Sequence, residues 1–276
     1  MLTETQGSRA CADILERIVE TKRVETAALR GRGLALRAAC SDAPPPRDLE
    51  AALGRRETVS LIGEVKRRSP GTGPIRPALD PAQLAQGYQA AGARAVSVLT
   101  DGPWFGGSLE DLAAVRARVG IPVLRKDFTL VEEQVLESRA AGADAVLLIV
   151  RILDNHRLRG LRELSESLGM AALVEVHDRD ELSRALDSGA RIVGINNRDL
   201  ATLRVSFDTT FELLGSIPAG TLTVSESGIR TAADVERLGK EGVHAVLVGE
   251  ALLRDEDPAA AARAFTGRAR RERAHA

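Results

Sequence analysis

The sequence predicts an α/β fold, a (β/α)8 (TIM) barrel with an additional N-terminal helical segment, from an internal repeat and from the number of its apolar runs. Four copies of one phrase, AGARAV, AGADAV, SGARIV and EGVHAV, place Gly92, Gly142, Gly189 and Gly242 at separations of 50, 47 and 53 residues. Each glycine follows an amphipathic helical stretch and precedes a short β-branched run, as a left-handed glycine does between a helix and a buried parallel strand. Another apolar run lies within each interval, so each repeat holds two strand–helix units.

The first predicted element is a helix that precedes the barrel. Residues Ser8–Arg30 carry one apolar helical stripe, formed by Ile14, Leu15, Ile18 and Val19. A helix with one apolar face must bury that face, so we expect it to lie on the barrel. The prolines at 44–46 form a stiff connector, and residues 1–57 together are predicted to form an N-terminal helical extension.

Residues 58–266 are predicted to form the barrel. Its eight strands are placed near Val59–Lys66, Ala95–Leu99, Pro122–Lys126, Ala145–Val150, Ala172–Val176, Ile192–Asn196, Leu222–Glu226 and Ala245–Gly249. Helical patterns separate them, for example at Pro81–Ala90, Leu109–Val119 and Asn155–Leu168. An open flavodoxin-like or Rossmann sheet is the alternative, but no GxGxxG follows the first strand, and eight βα units favour a barrel. The polar, basic tail at 267–276 is predicted to be disordered.

Composition and charge exclude several classes of protein. The formal net charge is −1, from 38 basic and 39 acidic residues, so nothing electrostatic favours binding to nucleic acid or to a membrane surface. The longest apolar run, Ala145–Val150, is far shorter than the roughly 20 residues of a membrane span. Met1–Ser8 lacks the features of a signal peptide, and neither Cys11 with Cys40 nor any histidine pair has metal-ligand spacing. We therefore expect a cytoplasmic protein without a metal site.

Charged and polar residues follow the predicted strands. In a (β/α)8 barrel the carboxyl ends of the strands form the active face. The residues expected there are Glu64, Lys66, Lys126, Arg151, Glu175, Asn196, Glu226 and Ser227. Each alone could belong to a structural ion pair, but three glutamates and two lysines converging on one mouth are costly to desolvate, and such clusters are typical of acid–base sites.

Two of these strand ends also carry glycines. Ser227 and Gly228 follow the seventh strand, and Val248 and Gly249 end the eighth. Glycines at these positions let backbone N–H groups approach an anion, which is the usual phosphate site of such barrels. The sequence therefore predicts a small phosphorylated substrate.

With these residues in place, the chain resembles the indole-3-glycerol phosphate synthases of tryptophan biosynthesis. The motifs EVKRRSP, FGGSLEDL, PVLRKDF, LLIV, LVEVH, GINNRDL, SESGI and LVGEAL fall in the family's order and spacing, and the resemblance runs from the N-terminal helix to about Arg254. It implies a carboxy-lyase that uses no cofactor. In the family's reaction, 1-(2-carboxyphenylamino)-1-deoxyribulose 5-phosphate loses carbon dioxide and water and closes to indole-3-glycerol phosphate.

The resemblance also implies roles for residues of this sequence. Lys126 matches the acid that protonates the developing alkoxide, and Lys66, Glu64 and Glu175 match the groups of the second acid–base step, with the division of roles left open. Asn196, Arg198 and Glu226 match residues that hold hydroxyls and orient the catalytic side chains. The anthranilate pocket is matched by Pro70, Phe105, Phe128 and Leu147, and the phosphate region by Ser69, Ser227, Gly228, Gly249 and Glu250.

Separate predictions apply to Glu250 and His177. Some relatives have serine where Glu250 stands, and because a carboxylate would repel phosphate, only the backbone N–H of Glu250 is expected to contact it. His177 matches no catalytic position of the family and is predicted to cap the next helix together with Asp178.

Two alternative functions stay open at this point. A lysine on a barrel strand near a phosphate site also fits a class I aldolase, in which Lys126 would form a Schiff base. A non-catalytic relative is disfavoured because every matched catalytic position keeps a competent residue. The sequence leaves open the oligomeric state, an association with other tryptophan-pathway enzymes, and whether the pathway served is primary or specialised.

Overall fold

The computed structural model describes residues 4–54, 57–198 and 205–273, without the side chains of residues 4–13. Within them, parallel strands close into a barrel in the order β1-β8-β7-β6-β5-β4-β3-β2. The strands are β1 Ser60–Val65, β2 Ala95–Leu99, β3 Val123–Lys126, β4 Ala145–Ile149, β5 Ala171–Val176, β6 Ile192–Asn196, β7 Leu222–Glu226 and β8 Ala245–Val248. The predicted (β/α)8 barrel is confirmed, with strand bounds within two residues of those predicted.

Helices surround this barrel. They are α1 Glu4–Ala27, α2 Gly33–Asp42, α3 Leu49–Leu53, α4 Pro81–Ala90, α5 Gly102–Phe105, α6 Leu109–Arg118, α7 Glu132–Ala140, α8 Asn155–Ser167, α9 Arg179–Asp187, α10 Asp208–Leu214, α11 Ala232–Lys240, α12 Glu250–Leu253 and α13 Pro258–Phe265. A short antiparallel pair, Arg68–Ser69 with Gly73–Pro74, follows β1. The repeated glycines have φ values of 97°, 90°, 89° and 85° at Gly92, Gly142, Gly189 and Gly242, which confirms the left-handed turns that link helices to strands.

The N-terminal extension contains more helix than predicted. A second helix, α2, begins at Gly33, and the Sγ of its Cys40 lies 3.2 Å from the carbonyl oxygen of Leu136 in α7. Helix α3 is only five residues long, but Leu49 and Leu53 are 1% and 0% exposed. They belong to the same apolar cluster as Ile62 of β1, so α3 closes the end of the barrel where the strands begin.

The apolar core has an inner and an outer part. Inside the barrel lie Ile62, Leu124, Leu147, Leu173, Ile192, Val224 and Leu247. The alternate residues of each strand pack against the surrounding helices. Gly63 shows how closely one helix approaches, because a Cβ built there would lie 2.4 Å from the ring of Tyr88 on α4. Glu64, the next residue, therefore points inward toward the mouth.

The tail is ordered as far as it is described. The backbone of Arg268 and Arg270 hydrogen-bonds to Val59 and Glu57 at 2.8 and 2.9 Å, beside the first strand. The Arg273 guanidinium donates to the carbonyls of Leu214 and Ile217. Residues 267–273 therefore differ from the predicted disordered tail, because their backbone and guanidinium donors find carbonyl acceptors on the barrel. Residues 274–276 lie outside the described part, and the division into extension, barrel and tail stays a prediction.

Candidate active site

Two adjoining cavities lie at the carboxyl ends of the strands. The first is mainly apolar, and Pro70, Phe105, Phe128 and Leu147 line it together with Ser69. The second is lined by Glu226, Gly228 and Gly249. Both are lined by Glu64, Lys66, Lys126, Asn196, Arg198, Ser227 and Glu250, and Glu175 lines the first. The structure thus brings these predicted residues together around one mouth. Arg151, also expected there, lines neither cavity and instead contacts Asp178 and Glu181.

Lys126 occupies the centre of the mouth between two carboxylates. Its Nζ lies 2.8 Å from Glu175 Oε2 and 3.1 Å from Glu226 Oε2. The three residues come from β3, β5 and β7, alternate strands whose inward side chains meet in one layer. Asn196 Nδ2 donates to the other Glu175 oxygen at 3.2 Å, while Lys66 is in direct contact with Glu64. Strand ends that are distant in sequence therefore form one charged centre.

Burial and the neighbouring charges both shift the pKa values of the groups in this centre. Burial acts to lower the pKa of Lys126, but the carboxylates of Glu175, Glu226 and Glu64 override it and raise that pKa. Burial acts to raise the pKa of Glu175, which the nearby ammonium of Lys126 nevertheless holds below its ordinary value. Burial raises the pKa of Glu226, despite Lys126 and with the help of the Glu175 charge. The pKa values of these two carboxyl groups therefore differ, and Glu175 is the stronger acid.

Two phenylalanine rings form part of the wall of the apolar cavity. The Phe105 and Phe128 rings have centroids 6.1 Å apart and are tilted by 36°. Phe105 ends the short helix α5, which Asp101 caps by accepting a hydrogen bond from Trp104 N at 2.8 Å. Gly107 follows, and a Cβ there would lie 1.9 Å from the Leu99 carbonyl oxygen, so only glycine lets this loop lie against the end of β2.

The N-terminal helix forms a wall of that cavity, which the sequence analysis did not predict. Ile14, Leu15 and Ile18 of α1 line it. One helical turn further along the same stripe, the side chain of Lys22 is 4% exposed, with Nζ 2.9 Å from carboxylate oxygens of both Asp101 and Asp127. A lysine on the apolar stripe, four positions after Ile18, was the signal that could have placed α1 over the mouth.

Asp127 links this helix to the charged centre. Besides Lys22, its carboxylate contacts Arg125 at 3.1 Å and accepts a hydrogen bond from Thr100 at 2.6 Å. Burial acts to raise the pKa of Asp127, but Arg125 and Lys22 lower it to about 2, so the group is ionised. Because Asp127 directly follows Lys126, the anchor of α1 is fixed next to the central lysine.

Replacing Lys22 with methionine is therefore expected to lower the melting temperature and to raise KM. Removing one partner of a buried ion pair leaves uncompensated charge, at a cost of about 3–5 kcal/mol. Thermal unfolding and steady-state kinetics would measure both effects. Arg23→Met is a matched control, since the Arg23 side chain is 68% exposed. A Lys22→Met variant that matched wild type in both measurements would contradict an anchoring role.

Two further contacts hold the loops of the mouth. Arg67 Nη1 donates to the Gly106 carbonyl at 3.0 Å, and Arg67 Nη2 donates to Asp111 at 2.9 Å. These bonds join the loop after β1, which carries Ser69 and Pro70, to the loop after β2. Neither Arg67 nor Asp111 was predicted to belong to the site, because their contact depends on segments that are neighbours only in space.

The second cavity has the backbone of an anion site. Ser227 has a φ of 65° and is the only non-glycine residue with positive φ in the described chain, followed by Gly228 at 83°. Buried Asn197 fixes this turn, since its Nδ2 donates to the carbonyls of Glu226 and Ser227 at 2.9 and 3.2 Å. The Glu250 carboxylate pairs at 2.7 Å with Arg254, the residue that follows the short helix α12.

His177 differs from its predicted role. Asp178 caps α9, since its Oδ1 accepts from Glu181 N at 2.8 Å, which confirms half of that prediction. His177 instead places Nδ1 2.9 Å from Glu181 Oε2 and Nε2 3.5 Å from Glu175 Oε1, so the capping role proposed for it is wrong. In the described residues no group of three or more His, Cys, Asp or Glu side chains could hold a metal ion, and no helix could cross a membrane.

Comparisons with known proteins agree with this geometry. By fold alone, the chain is similar to 3-hexulose-6-phosphate synthase from Salmonella typhimurium (TM-score 0.62, 16% identity, 75% of this chain and 96% of that chain). It is also similar to KGPDC from Streptococcus mutans (TM-score 0.60, 14% identity, 75% of this chain and 95% of that chain).

An indole-3-glycerol phosphate synthase from Parafrankia sp. (strain EAN1pec) is 56% identical to this chain over 78% of this chain and 80% of its own length. Another, from Mycobacterium ulcerans (strain Agy99), is 47% identical over 91% and 92%. The family model described as indole-3-glycerol phosphate synthase matches residues 15–265, and with relatives this similar the chain belongs to that family.

Proposed function

We propose that this chain closes 1-(2-carboxyphenylamino)-1-deoxyribulose 5-phosphate to indole-3-glycerol phosphate, with Lys126 as the acid of the first step. The observation that carries the assignment is the position of Lys126, between an apolar slot and a cavity with the backbone of an anion site. A substrate with an aromatic acid at one end and a phosphate at the other can span the two, which places its ketone near the lysine.

The two ends of the substrate are assigned to different walls. We place the anthranilate ring against Phe105 and Phe128, with Pro70 and Leu147 at its edges and α1 above it. The phosphate is placed against the backbone of Ser227, Gly228, Gly249 and Glu250. Because the Glu250 carboxylate is paired with Arg254, it does not need to face the phosphate.

Ring closure requires an acid at the ketone oxygen. The aromatic carbon that bears the carboxylate attacks the ketone carbon, and the electron pair of the C=O bond moves to oxygen. Lys126, whose pKa is raised by the surrounding carboxylates, is protonated and donates its proton there. The carboxylate then leaves as carbon dioxide, and its bonding electrons restore the aromatic ring.

Dehydration requires a second acid and a base. We assign Lys66, paired with Glu64, to the leaving hydroxyl, which departs as water. Glu175, held ionised by Lys126, removes a proton from the carbon beside the nitrogen, and the electrons of that C–H bond complete the indole ring. Glu226 has a buried oxygen, Oε1, with no hydrogen-bond partner in the described residues, which suits it to receive a substrate hydroxyl.

Two experiments test the proposal. Purified protein should form the indole ring from the carboxyphenylamino substrate without any added cofactor, and no turnover would favour the non-catalytic alternative. Borohydride with a ketose phosphate should leave no covalent adduct on Lys126. A Schiff base needs a neutral amine, whereas the carboxylates around Lys126 raise its pKa. Action in the cytoplasm and association with other tryptophan-pathway enzymes remain predictions.

A substrate analogue without the phosphate is expected to bind about 10²-fold more weakly, since hydrogen bonds to a charged group contribute about 1.5–3 kcal/mol each. Competition against the substrate would measure this difference, and equal affinities would refute a phosphate pocket. Gly249→Val is a less selective test, because a Cβ at Gly249 would lie 2.2 Å from Glu64 Oε2. We expect that variant to lose kcat as well as affinity.

A further inference from the structure

A buried histidine outside the assigned machinery faces one of its carboxylates. The side chain of His177 is 4% exposed, and Nε2 lies 3.5 Å from Glu175 Oε1. That nitrogen has no hydrogen-bond partner in the described part of the chain. A buried polar atom without a partner calls for an explanation, and the carboxylate assigned as the base of the second step lies 3.5 Å away.

The opposite ring nitrogen is fixed. His177 Nδ1 lies 2.9 Å from Glu181 Oε2, and the backbone N–H of His177 donates to the same oxygen at 2.8 Å. The other Glu181 oxygen accepts from Arg151 Nε at 2.5 Å. Burial acts to raise the pKa of Glu181, but the hydrogen bonds from His177 and Arg151 hold it below its ordinary value. An ionised carboxylate can only accept, so Nδ1 carries a hydrogen.

A proton can therefore be gained or lost only at Nε2. The charged groups around His177 are Glu175 on its own strand and Glu181 on α9, with Arg151 and Asp178 beyond Glu181. At 3.5 Å the Nε2 and Oε1 atoms are adjacent, at the outer limit of a hydrogen bond. In a neutral ring whose hydrogen is on Nδ1, Nε2 carries the lone pair, so a proton acceptor lies beside the carboxylate.

We propose that His177 is a positioning residue that shares with Glu175 the proton removed from the substrate, held between Glu175 Oε1 and His177 Nε2. The inference rests on the proposed function, in which Glu175 takes the proton from the carbon beside the nitrogen. The C–H electrons enter the indole ring, and the proton moves to the carboxylate and onto the Nε2 lone pair. It returns through Glu175 to Lys126 Nζ, 2.8 Å from Oε2, which has given its own proton to the ketone oxygen.

Two variants separate proton sharing from simple hydrogen bonding. His177→Asn keeps an amide near the position of Nδ1 for Glu181, and His177→Gln places a neutral amide near the position of Nε2. Neither amide can hold the extra proton. We expect both variants to lower kcat about tenfold or more, as a weakened base does, with KM within twofold of wild type. His156→Gln, at an exposed position in the first turn of α8, is the matched control and should match wild type.

The pH dependence of kcat gives a sharper result. A shared proton raises the apparent pKa of the pair, so both variants should move the acidic limb of the profile to lower pH. Movement to higher pH would show that His177 acts as a fixed positive charge, and would overturn the proposal. Restoration of wild-type kcat and profile by His177→Gln would also overturn it, because a hydrogen bond would then suffice.

A measurement on the unaltered histidine covers the case in which the variants do not fold. In protein with 15N-labelled histidine, the Nε2 resonance of His177 should change when Glu175→Gln is introduced at constant pH, and an unchanged resonance would overturn the sharing. Turnover by wild type in the same assay distinguishes the two failures. If wild type forms no indole, the proposed function fails, whereas active wild type with unchanged His177 variants overturns this inference alone.

Discussion

Replacing Lys126 with methionine is expected to lower kcat by about 10² or more, the scale of lost acid catalysis. Methionine keeps most of the side-chain bulk but carries no proton to donate and no charge to stabilise the alkoxide. Lys126 also contacts Glu175 and Glu226 at 2.8 and 3.1 Å, so the variant leaves two carboxylates facing each other without their shared counter-ion. Steady-state kinetics of indole formation would measure the effect.

The Lys126 prediction has a matched control. Lys240→Met removes an exposed lysine from α11 and should leave kcat unchanged. Because burial already raises the pKa of Glu226, this carboxyl should take up a proton in Lys126→Met, so the variant should be more stable at pH 6 than at pH 8. Retention of most of the activity by Lys126→Met would remove the residue from the acid role.

Replacing Glu175 with glutamine is expected to lower kcat by about 10² or more, as for a lost acid–base group. We also expect the melting temperature not to fall. Lys126 keeps the Glu226 carboxylate at 3.1 Å as a counter-ion, and an amide oxygen at position 175 can still accept from Asn196. The variant loses the attraction to Lys126 that keeps the Glu175 pKa low, but it also loses the repulsion between the Glu175 and Glu226 charges, and we expect the two effects to offset each other. Sites arranged for activity often become more stable when they are neutralised.

Kinetics and thermal unfolding of Glu175→Gln should be measured side by side. Glu163→Gln is a suitable control, since the Glu163 side chain is 59% exposed and pairs only at the surface with Arg162. A Glu175→Gln variant that melted well below wild type yet turned over substrate normally would identify Glu175 as a structural partner of Lys126.

Much of the fold and the candidate site could be predicted because, in a (β/α)8 barrel, the residues of the site directly follow strands that can be recognised in the sequence. The strands are β-branched runs between left-handed glycines, and the residues at their carboxyl ends must meet once the barrel closes. Lys126, Glu175 and Glu226 are brought together by closure alone, so their sequence positions were sufficient to group them. Their individual roles remain predictions.

Other features could not be predicted because they depend on contacts between distant elements. Lys22 pairs with Asp101 and Asp127 only because α1 lies across the mouth. Its place on the apolar stripe indicates a buried charge, but its partners lie on elements that are distant in the sequence. The ordered tail likewise depends on carbonyls supplied by the loops around Leu214. His177 was assigned to a cap from its neighbour, whereas its orientation is set by Glu181 four residues later.

On α1, the residue that anchors the helix is separate from the residues that line the apolar cavity, so the cavity can change while the helix stays in place. Ile14, Leu15 and Ile18 line the apolar cavity, while Lys22, one turn further on, holds the helix next to the central lysine. Enlarging or shrinking the three apolar side chains should alter which ring substituents fit without loosening the helix. Libraries for indoles with new substituents would therefore vary these positions and keep Lys22 constant.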